Sequence, residues 1–228
     1  MPDEDATPVP DEDDRRRALA GKYDRIAERG YASRYADPGA IAERQVELLS
    51  SWGTPLPRGS RVLELGCADG FVTQMLVTAG FEVTAIDLSP GMIERARERL
   101  GRAGIHADLR VADLERLRLD DEYDAVLGLM WTFFAYMHEP ARVLATLGER
   151  TRTKLLVDVN PRTHRLSDAR RSVEDAGFAS IRWRPFFVPQ THRVGRTGLA
   201  MLRAAERVPL LRDAALRRKF VAVVKGER

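Results

Sequence analysis

The sequence predicts an α/β fold, a doubly wound and mostly parallel sheet with helices on both faces. Three observations carry this expectation. Short apolar runs alternate with helical stretches from residue 61 to residue 176. The first run ends in a glycine turn, Gly66-Cys67-Ala68-Asp69-Gly70. The second run ends in an acid, Asp87, twenty-one residues after Gly66. Strands that alternate with helices pair in parallel through crossover connections. Such sheets bind ligands beyond the carboxyl ends of their strands, where the strand order reverses.

The elements follow in order. Residues 1–14 hold seven acids, three prolines and no Lys or Arg. With almost nothing to bury, they read as a disordered acidic tail. A helix is expected from about Arg15 to Arg29, with a break at Pro38-Gly39. A second helix over 40–52 sets Ile41, Gln45, Leu48 and Trp52 near one face. Residues 15–60 thus form an N-terminal helical cap or lid, and 61–228 the main domain. After the loop GTPLPRGS, RVLEL (61–65) is a strand and 69–79 a helix closed by Gly80. EVTAID (82–87) is the next strand. Ser89 and Pro90 then cap a helix that runs to about Leu100. Strands follow at 109–113 and 123–129, a helix at 139–149, a strand at 154–159 and a helix over 166–176 that stops at Gly177. SIRWRPFFV (180–188) and KFVAVV (219–224) are the last strands.

Composition narrows the function classes. The 228 residues are 44% hydrophobic and 31% charged, ordinary for one globular domain with a sizeable core. No apolar run nears the roughly 18–20 residues that cross a bilayer. The N-terminus lacks the basic start and apolar stretch of a secretory signal. Cys67 is the single cysteine, so no internal disulfide forms. These features place the protein in the cytoplasm. No metal site is expected.

The glycine turn and Asp87 together predict an adenosine-containing cofactor. Glycine lets the backbone approach a ligand, and a carboxylate at the end of the second strand accepts both ribose hydroxyls. The turn departs from the G-x-G-x-x-G dinucleotide fingerprint at two of its three glycines. A pyrophosphate at the helix N-terminus would also meet Asp69, with Glu64 just before the turn. Two acids repel a phosphate. They suit a ligand with a sulfonium, an ammonium and no phosphate, which is S-adenosylmethionine.

On these residues the sequence resembles the class I S-adenosylmethionine-dependent methyltransferase superfamily, of the small-molecule type. VLELGCADG (62–70) is similar to its first motif, with Ala68 where glycine is commoner. Glu64, Gly66, Cys67, Ala68 and Gly70 fall in this stretch. VTAIDLSPGMIERAR (83–97) resembles the second strand and helix, which places Leu88 and Met92 around the adenine. LRVADLERL (109–117) looks like the third motif, which implies Asp113 at the adenine amino group and Leu114 on its ring. YDAVLGL (123–129) resembles the strand whose end, Leu129, carries the methionine part. The resemblance further implies seven strands in the order 3-2-1-4-5-7-6, with strand 7 antiparallel. It implies S-adenosylhomocysteine as the product.

The acceptor is less legible. MWTFFAYMHEP (130–140) follows the fourth strand and is rich in aromatics, with Trp131 and Phe134 expected in the acceptor pocket. Tyr136 and His138 are the candidate acid/base residues, Tyr136 at the position where relatives carry histidine. Asp158 and Asn160 end the fifth strand, and Asn160 is a pocket candidate. Tyr23 and Tyr31, with Tyr35, lie in the lid and are pocket candidates too. The expected reaction is methyl transfer to an oxygen or nitrogen of a small molecule such as a metabolite, sugar or quinone-like compound. The alternatives are a nucleic-acid or lipid-linked substrate, or a cofactor-binding regulator without catalysis. Nucleic acid is disfavoured because MWTF stands where a base-flipping relative has an Asn/Asp-Pro-Pro-Tyr/Phe motif. Residues 190–218 interleave leucines with arginines around Pro209. They are expected to pack over the pocket or to make peripheral contact with anionic lipid.

Overall fold

A computed structural model describes residues 11–129, 133–217 and 222–228. Seven strands form one sheet in the order β3-β2-β1-β4-β5-β7-β6. β1 (Arg61–Leu65) lies at the switch point, parallel to both β2 (Glu82–Asp87) and β4 (Tyr123–Gly128). β3 (Asp108–Val111) flanks β2, and β5 (Thr151–Val159) flanks β4, again in parallel. β7 (Ala222–Glu227) runs antiparallel between β5 and β6 (Arg182–Pro185). The chain leaves β1 toward one edge and returns through β4 toward the other, so a crevice opens at the carboxyl ends of β1 and β4.

Both faces are covered, and successive residues of β1 alternate between them. Val62 joins one apolar cluster and Leu63 the other. The first cluster is closed by α2 (Pro38–Ser51), α3 (Phe71–Ala79) and α4 (Pro90–Arg102), through Ile41, Leu48, Leu76 and Ile93. The second is closed by α5 (Phe133–Tyr136), α6 (Pro140–Glu149) and α7 (Leu166–Asp175), through Phe133, Leu144 and Val173. This double burial is why the strands read as unbroken apolar runs. No helix among the described residues is long and apolar enough to cross a membrane.

The acidic start differs from expectation. α1 spans Glu12–Ala27, and the Asp11 side chain accepts the Asp13 and Asp14 N–H groups as its N-cap. Residues 11–14 are therefore helix cap and first turn, where carboxylates meet the free N–H groups and the positive end of the helix dipole. Residues 1–10 of the expected tail lie outside the described residues. Pro38-Gly39 is likewise the first turn of α2, capped by Asp37, rather than a break.

The last strand shifts as well. It runs over 222–227 rather than 219–224 and buries Lys225 and Glu227. Two residues apart, they share one face and pair with each other, and Glu227 also accepts the Thr54 N–H. Lys154 is fully buried on the neighbouring strand. Its Nζ donates to the Leu49 and Trp52 carbonyls, at 3.0 and 3.2 Å, satisfying the end of α2 and fastening that helix to the sheet. Burial pushes the Lys154 ammonium down to about 8.

Candidate functional site

The crevice is a cavity that opens to solvent, with about 1290 Å³ of empty space when its mouth is included. Its floor is the β1 turn. Gly66 (φ 66°) and Ala68 (φ 47°) both take left-handed conformations and turn the chain from β1 toward α3. A non-glycine residue there carries a strain of roughly 1–2 kcal/mol. The strained turn presents its backbone to the cavity between Glu64 and Asp87.

Asp87 ends β2 with both oxygens oriented. One accepts the Ala68 N–H at 2.9 Å and the other the Ser89 N–H at 2.9 Å. A carboxylate oxygen has a second acceptor site, so each retains acceptor capacity beyond these bonds. Burial raises the Asp87 pKa, opposed by these N–H groups. Glu64 is buried, and one of its oxygens accepts the Thr73 hydroxyl at 2.7 Å. Burial pushes it up to about 8, and the neighbouring Asp87 adds to the push. A buried and a half-buried carboxyl, both held toward neutrality, make a site that a cation stabilises and a phosphate does not. Burial also pushes the Cys67 thiol well up, so it is no thiolate nucleophile. Asp69 contributes less negative charge than its position implied, because Arg99 pairs with its carboxylate at 3.1 Å and donates to its carbonyl at 2.8 Å.

The roof comes from the N-terminal helices. Arg16, Leu19 and Tyr23 line the cavity along one face of α1. α1 is held down by Asp24, which accepts the Gly91 N–H at 3.0 Å and the Ser89 hydroxyl. Arg16 reaches across the cavity to Asp113 (2.8 Å) and Glu115 (3.2 Å). Tyr31 and Tyr35 share a hydroxyl hydrogen bond of 2.9 Å, and their rings meet edge to face. Pro38, Ile41 and Gln45 of α2, with Leu127, Leu129 and Met137, complete the apolar side.

A methyltransferase-domain family matches residues 62–154. Residues 62–154 are similar to the S-adenosylmethionine-dependent methyltransferase domains of class I. S-adenosylmethionine is the cofactor of that family. A malonyl-[acyl-carrier protein] O-methyltransferase of Anoxybacillus flavithermus is 36% identical over 91 residues, 39% of this chain and 34% of the relative. A magnesium-protoporphyrin O-methyltransferase of Rhodobacter capsulatus is 32% identical over 110 residues, 46% of this chain and 47% of the relative. The matched stretches thus span a third to a half of these relatives' length. The crystal structure of a magnesium protoporphyrin IX methyltransferase from Synechocystis PCC 6803 with bound S-adenosylmethionine is similar in fold. It has a TM-score of 0.66 and 16% identity, over 97% of this chain and 99% of that one.

The fold brings most of the expected residues together. Glu64, Gly66, Cys67, Ala68, Asp87, Leu88, Asp113, Leu114, Leu129, Tyr23 and Tyr31 all line the cavity. Several others do not. Met92 is fully buried beneath the turn, packed with Ala27 and Ala68. Gly70 caps α3 behind the turn with φ 74°, and a Cβ there would lie 2.8 Å from the Ala96 Cβ. Its glycine serves the packing of α3 on α4, not ligand approach. Gly70→Ala should therefore lower unfolding stability by roughly 2–4 kcal/mol, from left-handed strain and overpacking together. A urea midpoint equal to that of the unsubstituted protein would reject this reading.

Phe134 belongs to the second core cluster, edge to face with Phe133, and is not a wall of the pocket. Asn160 closes the loop after β5, accepting the Arg162 N–H at 3.0 Å. Asp158 is buried beneath the sheet surface and does not line the cavity. His138 is exposed outside the cavity, and its backbone N–H bonds to Glu115. Trp131 and the side chain of Tyr136 lie outside the described residues. Asp113 has two partners already, because it also caps the turn Leu114–Arg116 through the Glu115 N–H. Arg16, Leu19, Ile41, Gln45 and Met137 were not anticipated as pocket residues. Arg16, Leu19 and Tyr23 share a three-to-four residue spacing, the one sequence signal that pointed to them.

Proposed function

We propose that this chain transfers the methyl group of S-adenosylmethionine to an oxygen of a small-molecule acceptor. The reading rests above all on the Glu64–Asp87 pair, whose charged forms need a cationic ligand, beside an apolar recess lined by tyrosines. Asp87 would take the ribose hydroxyls, and Leu88 and Leu114 would flank the adenine. Asp113 would share its carboxylate between the adenine amino group and Arg16. When bound, the cofactor supplies a methyl group already activated by its sulfonium.

The chain's own task is then alignment, worth about 7–11 kcal/mol in favourable cases. The acceptor would lie between Leu129, Ile41 and the Tyr31–Tyr35 pair. A phenol is neutral near pH 7, so the linked hydroxyls would orient an acceptor hydroxyl by hydrogen bonding rather than take its proton. O-transfer is favoured over N-transfer because the relatives reported above are named as O-methyltransferases.

The test is release of S-adenosylhomocysteine from methyl-labelled cofactor against a panel of hydroxyl- and carboxyl-bearing small molecules. Tyr35→Phe should raise KM for an accepted compound several-fold with kcat little changed. Tight cofactor binding with no turnover on any acceptor would instead mean a regulator, and label found only on nitrogen would overturn the oxygen assignment.

A further inference from the structure

Five large apolar side chains are exposed among the described residues, and four of them lie within residues 201–211. They are Met201 (69% exposed), Val208 (43%), Leu210 (79%) and Leu211 (48%). Their segment is the connection between β6 and β7, folded as α8 (Arg196–Ala205) and α9 (Pro209–Arg217). Pro185 at the end of β6 faces Ala222, and Ala222 faces Val159 at the end of β5. The connection therefore stands at the same end of the sheet as the cofactor cavity.

α8 has two apolar faces. Leu199 packs inward on the first core cluster. Four ion pairs lock the helix and the two residues after it to α2, whose Ile41 and Gln45 line the cavity. Arg203 meets Glu43 and Glu47 at 3.5 Å each, Arg207 meets Glu47 at 3.6 Å, and buried Glu206 pairs with Arg44. The outward stripe is Thr197, Ala200, Met201, Ala204 and Val208, spaced by three and four residues, all exposed and none charged. It runs on into Pro209, Leu210 and Leu211. A helix that has already buried one stripe ordinarily turns charge to water. A second, exposed apolar stripe marks an interaction surface.

We propose that this α8–α9 corner docks the protein on an anionic lipid bilayer. Met201, Val208, Leu210 and Leu211 enter the headgroup layer, and exposed Arg193 and Arg196 border them as cations for the lipid phosphates. Glu206 is buried in its ion pair with Arg44, so it adds no exposed charge to oppose this. A second copy is a poorer occupant, since a twofold contact would set the same arginines against each other. Two of the arginines once expected to serve lipid, Arg203 and Arg207, point to the α2 glutamates, so attraction rests more on apolar insertion than the sequence implied.

The test is co-sedimentation with vesicles of phosphatidylglycerol and phosphatidylcholine, beside vesicles of phosphatidylcholine alone. The protein should pellet with the anionic vesicles at low salt and less at high salt. Met201→Asp with Leu210→Asp should reduce the bound fraction at least tenfold, since each buried leucine-sized side chain is worth about 1.5–3 kcal/mol. Both sites are exposed, so affinity for S-adenosylhomocysteine should not change. Wild-type protein left in the supernatant at low salt would overturn the proposal. So would equal pelleting of the double variant, or a solution dimer that this variant abolishes.

Discussion

Asp87→Ala is expected to lower affinity for S-adenosylhomocysteine by on the order of a hundredfold. The carboxylate is already positioned by the Ala68 and Ser89 N–H groups, so its free acceptor sites need no reorganisation to meet a ribose. Hydrogen bonds to a charged group are worth about 1.5–3 kcal/mol each, and two of them at the low end correspond to roughly a hundredfold in Kd. Asp87→Asn keeps the shape and one acceptor oxygen, so it should fall between the wild type and the alanine variant. Calorimetry measures all three. An unchanged Kd for Asp87→Ala would remove the ribose assignment. Tight binding of a dinucleotide would remove the cofactor reading altogether.

Affinity for S-adenosylmethionine should rise with pH, approaching tenfold per unit until the pH nears about 8, and protons should be released on binding. The cause is Glu64, whose carboxyl burial pushes from 4.5 up to about 8. A carboxyl raised in this way stabilises the fold below 4.5, and that contribution is lost as pH rises through about 8. Near neutrality the ligand-free protein therefore keeps Glu64 protonated. A cationic ligand favours the ionised form, so binding must drive the proton off below about 8 and need not do so above it. Proton release is read by calorimetry in buffers of different ionisation enthalpy. Glu64→Gln should bind more weakly at high pH and with a flat profile. A pH dependence that survives in Glu64→Gln would assign the titration to another group, and Asp87, also raised by burial, would be next.

Lys154 and Lys225 show why part of the fold escaped the sequence. Both are charged side chains of exposed type, and both are buried because a partner meets them there, Glu227 on the same strand for Lys225 and the end of α2 for Lys154. Lys154 finds the Leu49 and Trp52 carbonyls, about a hundred residues away in the chain. No local pattern carries such a pairing. Asp11 and Glu12 failed differently. Acidic composition read as tail, but a cap needs only one side chain and two N–H groups.

Local pattern decided the sheet, its alternating helices and the cofactor floor. Unbroken apolar runs follow from burial on both faces, the left-handed turn selects small residues at Gly66 and Ala68, and Asp87 ends the neighbouring strand against that turn. Each of these constraints acts within a few residues of the position it selects. The acceptor side was decided by tertiary packing. Met137 and Tyr35 reach the cavity, while Phe134, Asn160 and Met92 turn away, because each orientation depends on which distant helix occupies the space beside it. Arg203 and Arg207 make the same point on the surface. Their spacing was plain, but only the placement of α2, with Glu43 and Glu47 facing them, determined that they close an internal contact and leave an apolar stripe outside.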